Sequence, residues 1–362
     1  MKFPEKIVIT GVGVISPIGE GKENYWNGLK SESNGIREIT LFNSEKYGSF
    51  RAGEITDFNA EQYLGKKGLK YLSRTTQLAM SAAFLCLKDS KIKNADREFL
   101  SYDSDSIGVV LGTTYGVLQG ISAFDQVSLS EGPHYVSPMA FQNLVMNSHA
   151  GYLAIKENIR GLNMTISTGY NSALDSMGIG IQYLLADQIK CLLIGGVEEL
   201  SEEFFLSYLH QGSISDVLNI GEGAAIFSIE KLEDANNRKA KIYAKIVSYS
   251  NVFDPTTEGL GKAVQLSIKD ADISIGDIDW IVKSLNTGTI EKKIESDVLA
   301  DIFDKNILFS DLSRQIGDSY SASGSFQIAE ALRLIEKALA KTVLVVSIDP
   351  HGSNSALIIS KC

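Results

Sequence analysis

A strand-to-helix corner in the first half of the sequence has the geometry that presents a nucleophile. Residues 162–184, LNMTISTGYNSALDSMGIGIQYL, begin with a β-branched run, pass through Ser-Thr-Gly and continue as an amphipathic segment. Such a corner places one side chain beside a helix N-terminus, where a thiol is acidified and reactive. The residue at the corner is Tyr170. A phenol, with an ordinary pKa of about 10, is a poor nucleophile without a neighbouring base.

The cysteines offer no alternative centre. Cys86, Cys191 and Cys362 form no CxxC pair and no even framework, which is typical of a reducing compartment and indicates no structural zinc. Cys86 and Cys191 lie in apolar runs, and we interpret both as core thiols. The sequence therefore predicts neither a metal site nor a cofactor.

Composition narrows the class of protein. The chain has 362 residues, of which 44% are hydrophobic and 22% are charged, as in a globular protein that buries a sizeable core. The net charge of −10 argues against nucleic acid as a partner. The longest apolar runs, such as CLLIGGV and TVLVVSI, are too short to span a membrane. The start, MKFPEKIVITGVGVISPIG, resembles a first strand rather than a signal peptide, so we expect a cytoplasmic protein.

Short apolar runs alternate with longer amphipathic ones along the chain, which predicts an α/β fold with mostly parallel sheets covered by helices. The predicted strands are KIVITGVGVIS, SIGVVLGTT, NMTISTG, KCLLIGGVEE, GAAIFSIEK, KIYAKIVSYS, IDWIVKSLNTG, ILFSDL, TVLVVSID and NSALIISK. The predicted helices include RTTQLAMSAAFLCLKDS, SALDSMGIGIQYLLAD, GLGKAVQLSIKDA and FQIAEALRLIEKALA.

The two sets of strands mirror each other. Each half ends with a Gly-bearing polar loop followed by an apolar strand, NIGEGAAIFSIE in the first and PHGSNSALIIS in the second. The polar stretch at 231–241 lies between them, so we predict an N-terminal half at 1–235 and a C-terminal half at 236–362. Residues 30–70 are rich in Gly, Ser and Lys, and we interpret them as a surface insertion.

Two mirrored halves with a corner in the first resemble the thiolase-like fold, and in particular the β-ketoacyl-(acyl carrier protein) synthases. The motifs that carry the resemblance span nearly the whole chain. They are VITGVGVISPIGEGKENYWNGL, AGEITDFNAEQYLGKKGLKYLSRTTQLAMSAA, VSPMAFQNLVMNSHAGYLAIKENIRGLNMTIST, SLNTGTIEKKIES and IGDSYSASGSFQIAEALRLIE. The resemblance implies duplicated βαβ halves that form a layered α-β-α-β-α core.

Active members of this family are condensing enzymes with a cysteine, two histidines and a lysine. The cysteine takes an acyl chain, and the imidazoles stabilise the negative charge that develops on the thioester. Carried onto this sequence, the cysteine position is Tyr170 and the histidine positions are Leu285 and Asp318. The lysine position is Ser313, with Arg314 beside it. The resemblance therefore implies that the catalytic residues are absent.

Three loops of the family are also altered or vestigial. The turn that follows the first histidine position is NTGT, where Thr287 and Thr289 keep the pair that holds the phosphopantetheine arm in active relatives, here as remnants. The gating loop is replaced by DPHGSN, which keeps Gly352 and Asn354. An Arg-Pro-Phe-Asp-like loop is missing before the fifth strand, where the sequence is SDVLNIGEGAA.

A family member without these residues resembles the chain-length factor of a type II polyketide synthase, the non-catalytic β subunit of the ketosynthase. The resemblance implies a heterodimer with an active ketosynthase and a tunnel for the growing chain carried by acyl carrier protein. Seven residues are candidates for the tunnel or the interface: Tyr115, Leu118, Ile121, Phe124, Asp125, Met139 and Phe141. Leu118, Ile121 and Asp125 share one helical face, although Leu118 and Ile121 could equally pack a core and Asp125 departs from the expected bulky residue.

Several alternatives stay open at this point. The usual residue at the corner of chain-length factors is glutamine, so Tyr170 leaves an aryl-polyene-type system possible. A divergent acyl-transfer enzyme or cyclase could use Tyr170, Asp318 and His351, and a homodimeric acyl-binding protein would need no ketosynthase. None of the four histidines occupies a catalytic position; they are His134, His149, His210 and His351. We expect neither a nucleic acid nor a membrane partner.

Overall fold

The computed structural model describes residues 2–48, 50–94, 97–210, 219–286 and 288–362. All ten predicted strands are present, together with three short strands between β1 and the first parallel strand. The strands are β1 (Lys2–Ser16), β2 (Gly19–Glu20), β3 (Ile36–Glu38), β4 (Arg51–Gly53), β5 (Ile107–Gly112), β6 (Asn163–Ile166), β7 (Cys191–Glu198), β8 (Gly223–Lys231), β9 (Ala244–Phe253), β10 (Trp280–Val282), β11 (Leu308–Ser310), β12 (Thr342–Ile348) and β13 (Ser353–Ser360).

Helices fill most of the connections, and the four helices predicted from periodicity are among them. They are α1 (Lys22–Lys30), α2 (Glu61–Leu64), α3 (Arg74–Asp89), α4 (Leu118–Ser130), α5 (Pro138–Phe141), α6 (Ser148–Glu157), α7 (Ser172–Leu185), α8 (Glu202–His210), α9 (Leu232–Asn237), α10 (Gly259–Ala271), α11 (Thr289–Ile302), α12 (Ser313–Ile316) and α13 (Ser323–Glu336). In the part of the chain that the structure describes, no helix has the length and apolar character needed to cross a membrane.

The order of the strands confirms the internal duplication. The first half runs β6-β5-β7-β8-β1 and the second half runs β11-β10-β12-β13-β9. When the strands of each half are numbered along the chain, both orders are 3-2-4-5-1. β1 pairs on one edge with β8 and on the other with β9, so the two halves form one continuous sheet. The boundary between residues 235 and 236 stays a prediction.

Helices cover both outer faces and fill the centre, which gives the layered arrangement that the resemblance implied. α3 and α6 pack on the first half, and α10 and α11 pack on the second. α7 and α13 lie between the two halves and contribute to the largest apolar core. Gly13 of β1 allows α3 to approach closely, because a Cβ there would lie 1.9 Å from the carbonyl oxygen of Ala82.

The expectation of mostly parallel sheets is wrong. β5 pairs in parallel with β6 and β7, and β10 with β11 and β12, but the other long pairs are antiparallel. The connection between β12 and β13 spans only residues 349–352, which is too short for a parallel crossover. β7 and β8 are also antiparallel. Glu198, the last residue of β7, pairs with Gly223, the first residue of β8, so β8 begins at the end of the sheet where β7 stops.

The interpretation of residues 30–70 as surface decoration is also wrong in part. β3 and β4 form a two-stranded sheet, and residues from this segment are buried against α8. Phe42, Tyr47 and Phe50 each contact the ring of Phe205, at centroid distances of 5.5, 5.6 and 5.1 Å. These apolar residues are too widely spaced in the sequence to show a period, but together they cover the ring of Phe205 on α8.

Candidate functional site

The corner predicted from the sequence lies between β6 and α7. β6 ends at Ile166, a single 3-10 turn covers Gly169–Asn171, and α7 begins at Ser172. Gly169 has a φ of +71°, and a Cβ there would lie 2.5 Å from Oδ2 of Asp349, so glycine is required for two reasons. Oγ of Ser172 accepts a 3.0 Å hydrogen bond from the backbone N–H of Thr168 and holds the turn closed.

The phenol of Tyr170 is buried at this corner and hydrogen-bonded on two sides. It donates to Oδ2 of Asp318 at 2.7 Å, so the hydroxyl of Tyr208, 2.6 Å away, is the donor to Tyr170. The side chain is 5% exposed. Burial, and then the negative charge of Asp318, hold the pKa of Tyr170 well above its ordinary value. The phenol therefore keeps its proton.

Asp318 is held in place by its backbone as well as by its carboxylate. Its N–H donates to the carbonyl oxygen of Asn219 at 2.8 Å, and its own carbonyl oxygen accepts from Gly221 at 2.7 Å. Oδ1 accepts a 2.9 Å hydrogen bond from the backbone N–H of Tyr320. The carboxylate is thus fixed beside Tyr170 as a hydrogen-bond acceptor.

The two remaining positions that the resemblance assigns to catalytic groups have different surroundings. Leu285 follows β10 and is fully buried in the largest core cluster, where it supplies no polar atom. Ser313 begins α12, and its Oγ lies 3.0 Å from Nζ of Lys292, which donates from α11. A lysine is therefore present near this position, although it comes from a different element.

Aromatic rings fill the space around Tyr170. Tyr320 lies against Tyr170 and Tyr115, with ring centroids 4.3 and 4.8 Å apart, and Tyr115 stacks on Phe204 at 5.0 Å. Phe204 in turn meets Tyr208 edge-on at 5.2 Å. Tyr320 adopts a left-handed backbone with φ +46°, an uncommon conformation for a bulky residue. We call Tyr115, Tyr170, Phe204, Tyr208 and Tyr320 the aromatic cluster.

The carboxylate of Asp349 accepts a hydrogen bond from the backbone N–H at the corner. The N–H of Tyr170 donates to Oδ2 of Asp349 at 3.1 Å, and Oδ1 of Asp349 accepts from the N–H of His351 at 2.7 Å. Asp349 is buried and belongs to the DPHGSN loop, in which Gly352 has a φ of +97° and Nδ2 of Asn354 donates to the carbonyl oxygen of Gly352. The donor that could stabilise an anion at this helix N-terminus is therefore bound by the protein itself.

Sequence reasoning did not find Tyr208, Tyr320, Asp349 or Lys292 as members of this site. A signal for Tyr320 exists, because it lies in the turn before α13 much as Tyr170 lies in the turn before α7. Asp349 is the first residue after β12, in a loop already singled out from the sequence. Tyr208 and Lys292 lie on helices and have no local motif that would mark them.

Sequence comparison establishes the family. The family model of the β-ketoacyl synthase N-terminal domain matches residues 4–235, which is more than half of the 362-residue chain. The chain belongs to the β-ketoacyl synthase family. The 3-oxoacyl-[acyl-carrier-protein] synthase 2 of Staphylococcus aureus (strain N315) is 27% identical over 380 residues, with 97% of this chain and 91% of that protein covered. The enzyme of the same description from Vibrio cholerae is 26% identical, with 93% and 88% covered.

Solved ketosynthase structures share the fold along the whole chain. The ishigamide ketosynthase/chain length factor superposes with a TM-score of 0.91 at 23% identity, with 99% of both chains covered. A β-ketoacyl synthase from Burkholderia phymatum gives 0.89 at 20% identity, with 99% of this chain and 100% of that one covered. A type II polyketide synthase acyl-carrier protein in complex with its ketosynthase bound to the hexaketide gives 0.86 at 20%, with the same coverage.

In this member of the β-ketoacyl synthase family, the candidate tunnel and interface residues lie in three places. Tyr115 belongs to the aromatic cluster, whereas Leu118, Ile121, Phe124 and Asp125 lie on α4, as the spacing predicted. No residue of α4 is buried, although the helix is largely apolar. Met139 and Phe141, on α5, are 60% and 59% exposed.

A cavity of about 560 Å³ lies beside α4. We call it the α4 cavity; its walls are residues 70–73, residues 116–117, one face of α4, residues 135–137, Ala140, Asn143, Leu144 and Glu199. Of the seven candidate residues, Phe124 is the one in its wall. At about 100° per residue, Gly120, Ala123 and Val127 face the cavity, and Leu118, Ile121 and Asp125 lie on the opposite side of the helix.

The other candidate residues of the family-derived site contribute little here. Thr289 is the exposed first residue of α11, and Thr287 lies outside the described residues, as do the first four residues of the SDVLNIGEGAA segment. His351 is exposed, while Cys86 and Cys191 are buried and their thiol pKa values are raised by burial. Within the described ranges, no group of three or more His, Cys, Asp or Glu side chains is arranged to hold a metal ion.

Proposed function

We propose that this chain is a non-catalytic ketosynthase-like subunit, a chain-length factor that pairs with an active ketosynthase and shapes the tunnel for a carrier-bound chain. The observation that carries the proposal is the state of Tyr170. At the position that the resemblance assigns to the acyl-accepting cysteine, a phenol is buried, protonated and bonded to Asp318 and Tyr208. A group in that state does not take up an acyl chain.

The surroundings of the corner support the same conclusion. Condensation needs donors that face the developing charge on a thioester oxygen. Here Leu285 has no polar side-chain atom, and Asp318 bears a carboxylate, which is an acceptor when ionised. The backbone N–H of Tyr170 is bound to Asp349, and aromatic rings fill the adjoining space.

The surface of α4 and α5 supports the proposal that the chain binds a partner subunit. Because no residue of α4 is buried, its apolar side chains are at least partly accessible in the single chain, and Tyr135, Met139 and Phe141 extend this surface. Exposed apolar patches of this kind mark protein interfaces. The ishigamide protein, similar in fold, is described as a ketosynthase/chain length factor, and another similar structure contains an acyl-carrier protein. We infer the same kinds of partner for this chain.

The alternative of a divergent acyl-transfer enzyme or cyclase requires Tyr170 to lose its proton. The raised pKa of Tyr170 opposes this step, and the exposed His351 contributes a backbone N–H to Asp349 rather than an imidazole to Tyr170. The homodimeric acyl-binding protein is an outcome of the experiment below.

The proposal is tested by separating pairing from catalysis. The purified chain alone is incubated with malonyl-loaded and acyl-loaded carrier protein, and intact mass spectrometry should find no acyl adduct and no condensation product. Co-expressed with an active ketosynthase from the same organism, it should purify as a heterodimer that condenses. Turnover by the isolated chain that disappears in Tyr170→Phe would contradict the proposal, and homodimers alone would favour the acyl-binding alternative.

A further inference from the structure

The α4 cavity is lined mostly by apolar and small residues. Leu72, Val117, Phe124 and Leu144 form its apolar walls, and Gly116, Gly120 and Ala123 leave room between α4 and residues 135–144. Its volume of about 560 Å³ falls in the range of pockets that hold small organic molecules. The cavity adjoins the exposed apolar surface of α5, because Ser137 and Ala140 line it beside Met139 and Phe141.

One carboxyl group, that of Glu199, lies in this wall. The residue is 2% exposed and immediately follows β7. Among the described residues, Thr75 is its hydrogen-bond partner, with the backbone N–H at 2.8 Å from Oε2. Burial raises the pKa of Glu199 to about 7, so near neutral pH the group exists in both protonation states.

Three neighbouring buried acids differ from Glu199 in their hydrogen bonding. Each of them has several donors, and none of them lines the cavity. Glu198 accepts from Thr113, Thr114, Tyr115 and Ser321; Glu222 accepts from Ile55, Arg74 and Leu200; Glu54 accepts from Thr40 and Leu41. Buried carboxyls normally have such partners, so Glu199 has hydrogen-bonding capacity left for a group inside the cavity.

The other polar side chains of the wall do not supply that group. Asn143 donates through Nδ2 to the carbonyl oxygen of Tyr71 at 2.8 Å, and Ser73 caps the N-terminus of α3. The remaining polar side chains of the wall are exposed; they are Lys70, Tyr71, Gln119, Tyr135 and Ser137. A hydrocarbon in the cavity would remove Glu199 from water without giving it a partner, whereas a hydroxyl or enol would donate to it.

We propose that the α4 cavity binds the part of an acyl or polyketide chain that bears a hydroxyl or enol, and that Glu199 accepts its hydrogen bond. A fully reduced chain, or a polyene without oxygen, would fit the same volume less well because Glu199 would lose its contact with water. This inference rests on the proposed function, since it assumes that the subunit receives a chain. It adds the chemical class of that chain.

The test uses two isomers of equal size, octan-1-ol and 1-methoxyheptane, of which only the alcohol donates a hydrogen bond. Affinities for the purified chain are measured by ligand-detected NMR titration at about pH 9, where Glu199 is ionised and can only accept a hydrogen bond. We expect octan-1-ol to bind about tenfold more tightly than the ether. Glu199→Leu should abolish this preference, whereas the matched substitution Glu131→Leu, at an exposed residue just after α4, should preserve it.

Two further variants keep the test decisive if Glu199→Leu does not fold. Glu199→Gln retains an acceptor and should retain a preference for the alcohol. Ala123→Trp, at an exposed position of α4, should fill the cavity and weaken both probes alike. Equal affinities of the two isomers for the unaltered chain, or binding that Ala123→Trp leaves unchanged, would overturn the inference. Heterodimer formation and condensation are measured separately, so either result leaves the proposed function standing.

Discussion

Tyr170 and Asp318, which are 148 positions apart in the sequence, are joined by a 2.7 Å hydrogen bond at the centre of the molecule. The bond links the corner that precedes α7 in the first half to the segment that follows α12 in the second. Both residues are buried, so water does not readily replace a hydrogen bond that is lost between them. Removing one partner should therefore be costly.

Tyr170→Phe should lower the free energy of unfolding by about 1–3 kcal/mol, because Asp318 loses one donor and the hydroxyl of Tyr208 loses its acceptor. Chemical denaturation measures the change. Tyr135→Phe, which removes a phenol at a 71% exposed position, is the matched control and should have little effect. Equal effects of the two substitutions would show that the buried hydrogen bond contributes nothing specific.

Tyr170→Cys should not create a condensing enzyme. The new thiol would be buried beside Asp318, and both features raise the pKa of a thiol and reduce its reactivity. The positions at Leu285 and Asp318 would still lack imidazoles. Incubation with malonyl-loaded and acyl-loaded carrier protein, followed by mass spectrometry, should give no product. The triple variant with Leu285→His and Asp318→His is the comparator, and turnover by the single variant would refute the assignment of these positions.

Asp349→Ala should expose the backbone N–H of Tyr170. Oδ2 of Asp349 accepts from that N–H, and Oδ1 accepts from His351, so the substitution removes two hydrogen bonds and should cost about 1–3 kcal/mol. Hydrogen exchange of the Tyr170 amide should accelerate. Asp349→Asn keeps one carbonyl oxygen as an acceptor and should lose less. An amide that exchanges equally slowly in Asp349→Ala would contradict the proposed blocking of the corner.

Glu295 should make the protein less stable as pH rises. Burial raises its pKa to about 7, above the ordinary value of a glutamate, so the folded state favours the protonated form. The contribution is complete below the unfolded-state pKa, about 4.3, and is lost as pH rises through about 7. Glu198 and Glu199 act in the same direction.

Glu295→Gln should therefore reduce the fall in the free energy of unfolding between about pH 5 and about pH 8 by on the order of 2 kcal/mol. The amide oxygen can still accept the hydrogen bond that the N–H of Ser284 donates to Glu295 at 2.7 Å. Asp297→Asn, at an exposed position of the same helix, should leave the slope unchanged. Denaturation at a series of pH values measures both, and identical slopes for Glu295→Gln and the unaltered chain would refute the prediction.

Phe141→Glu should weaken the proposed heterodimer. The phenyl ring is 59% exposed in the single chain and lies 6.3 Å from the ring of Phe124, and burying a charge there at an interface should cost about 2 kcal/mol or more. Leu339→Glu, at an exposed apolar residue between α13 and β12, is the control. Affinity is measured by co-purification and sedimentation. If both variants pair as tightly as the unaltered chain, α5 is not part of the interface.

The elements of the fold were largely predictable from the sequence, because each strand and each long helix is a local apolar pattern. The corner at Tyr170 was predictable for the same reason: a β-branched run, a glycine and an amphipathic segment follow each other directly. The direction of the strands was not predictable from these local patterns. The antiparallel pairing of β12 with β13 depends on the length of one loop, and the antiparallel pairing of β7 with β8 depends on where the chain re-enters the sheet after a longer segment.

The contacts of the site were not predictable from one sequence, because they join distant residues. Tyr208 lies 38 positions from Tyr170, and Asp349 lies 179 positions from it. Local patterns carry no information on which side chains meet across such separations. The α4 cavity is a second example: small residues at Gly120 and Ala123 create it on the face opposite the one that family spacing indicated.

The position of β1 has a consequence for synthesis on the ribosome. β1 is translated before the other strands of the joined sheet, yet it occupies the middle of that sheet, between β8 and β9. Its hydrogen-bonding partners, Gly223–Lys231 and Ala244–Phe253, are translated more than 200 residues later. The apolar β1 segment therefore lacks both of its neighbouring strands while the nascent chain is being synthesised. We expect chaperones to bind this segment until residue 253 has left the ribosome.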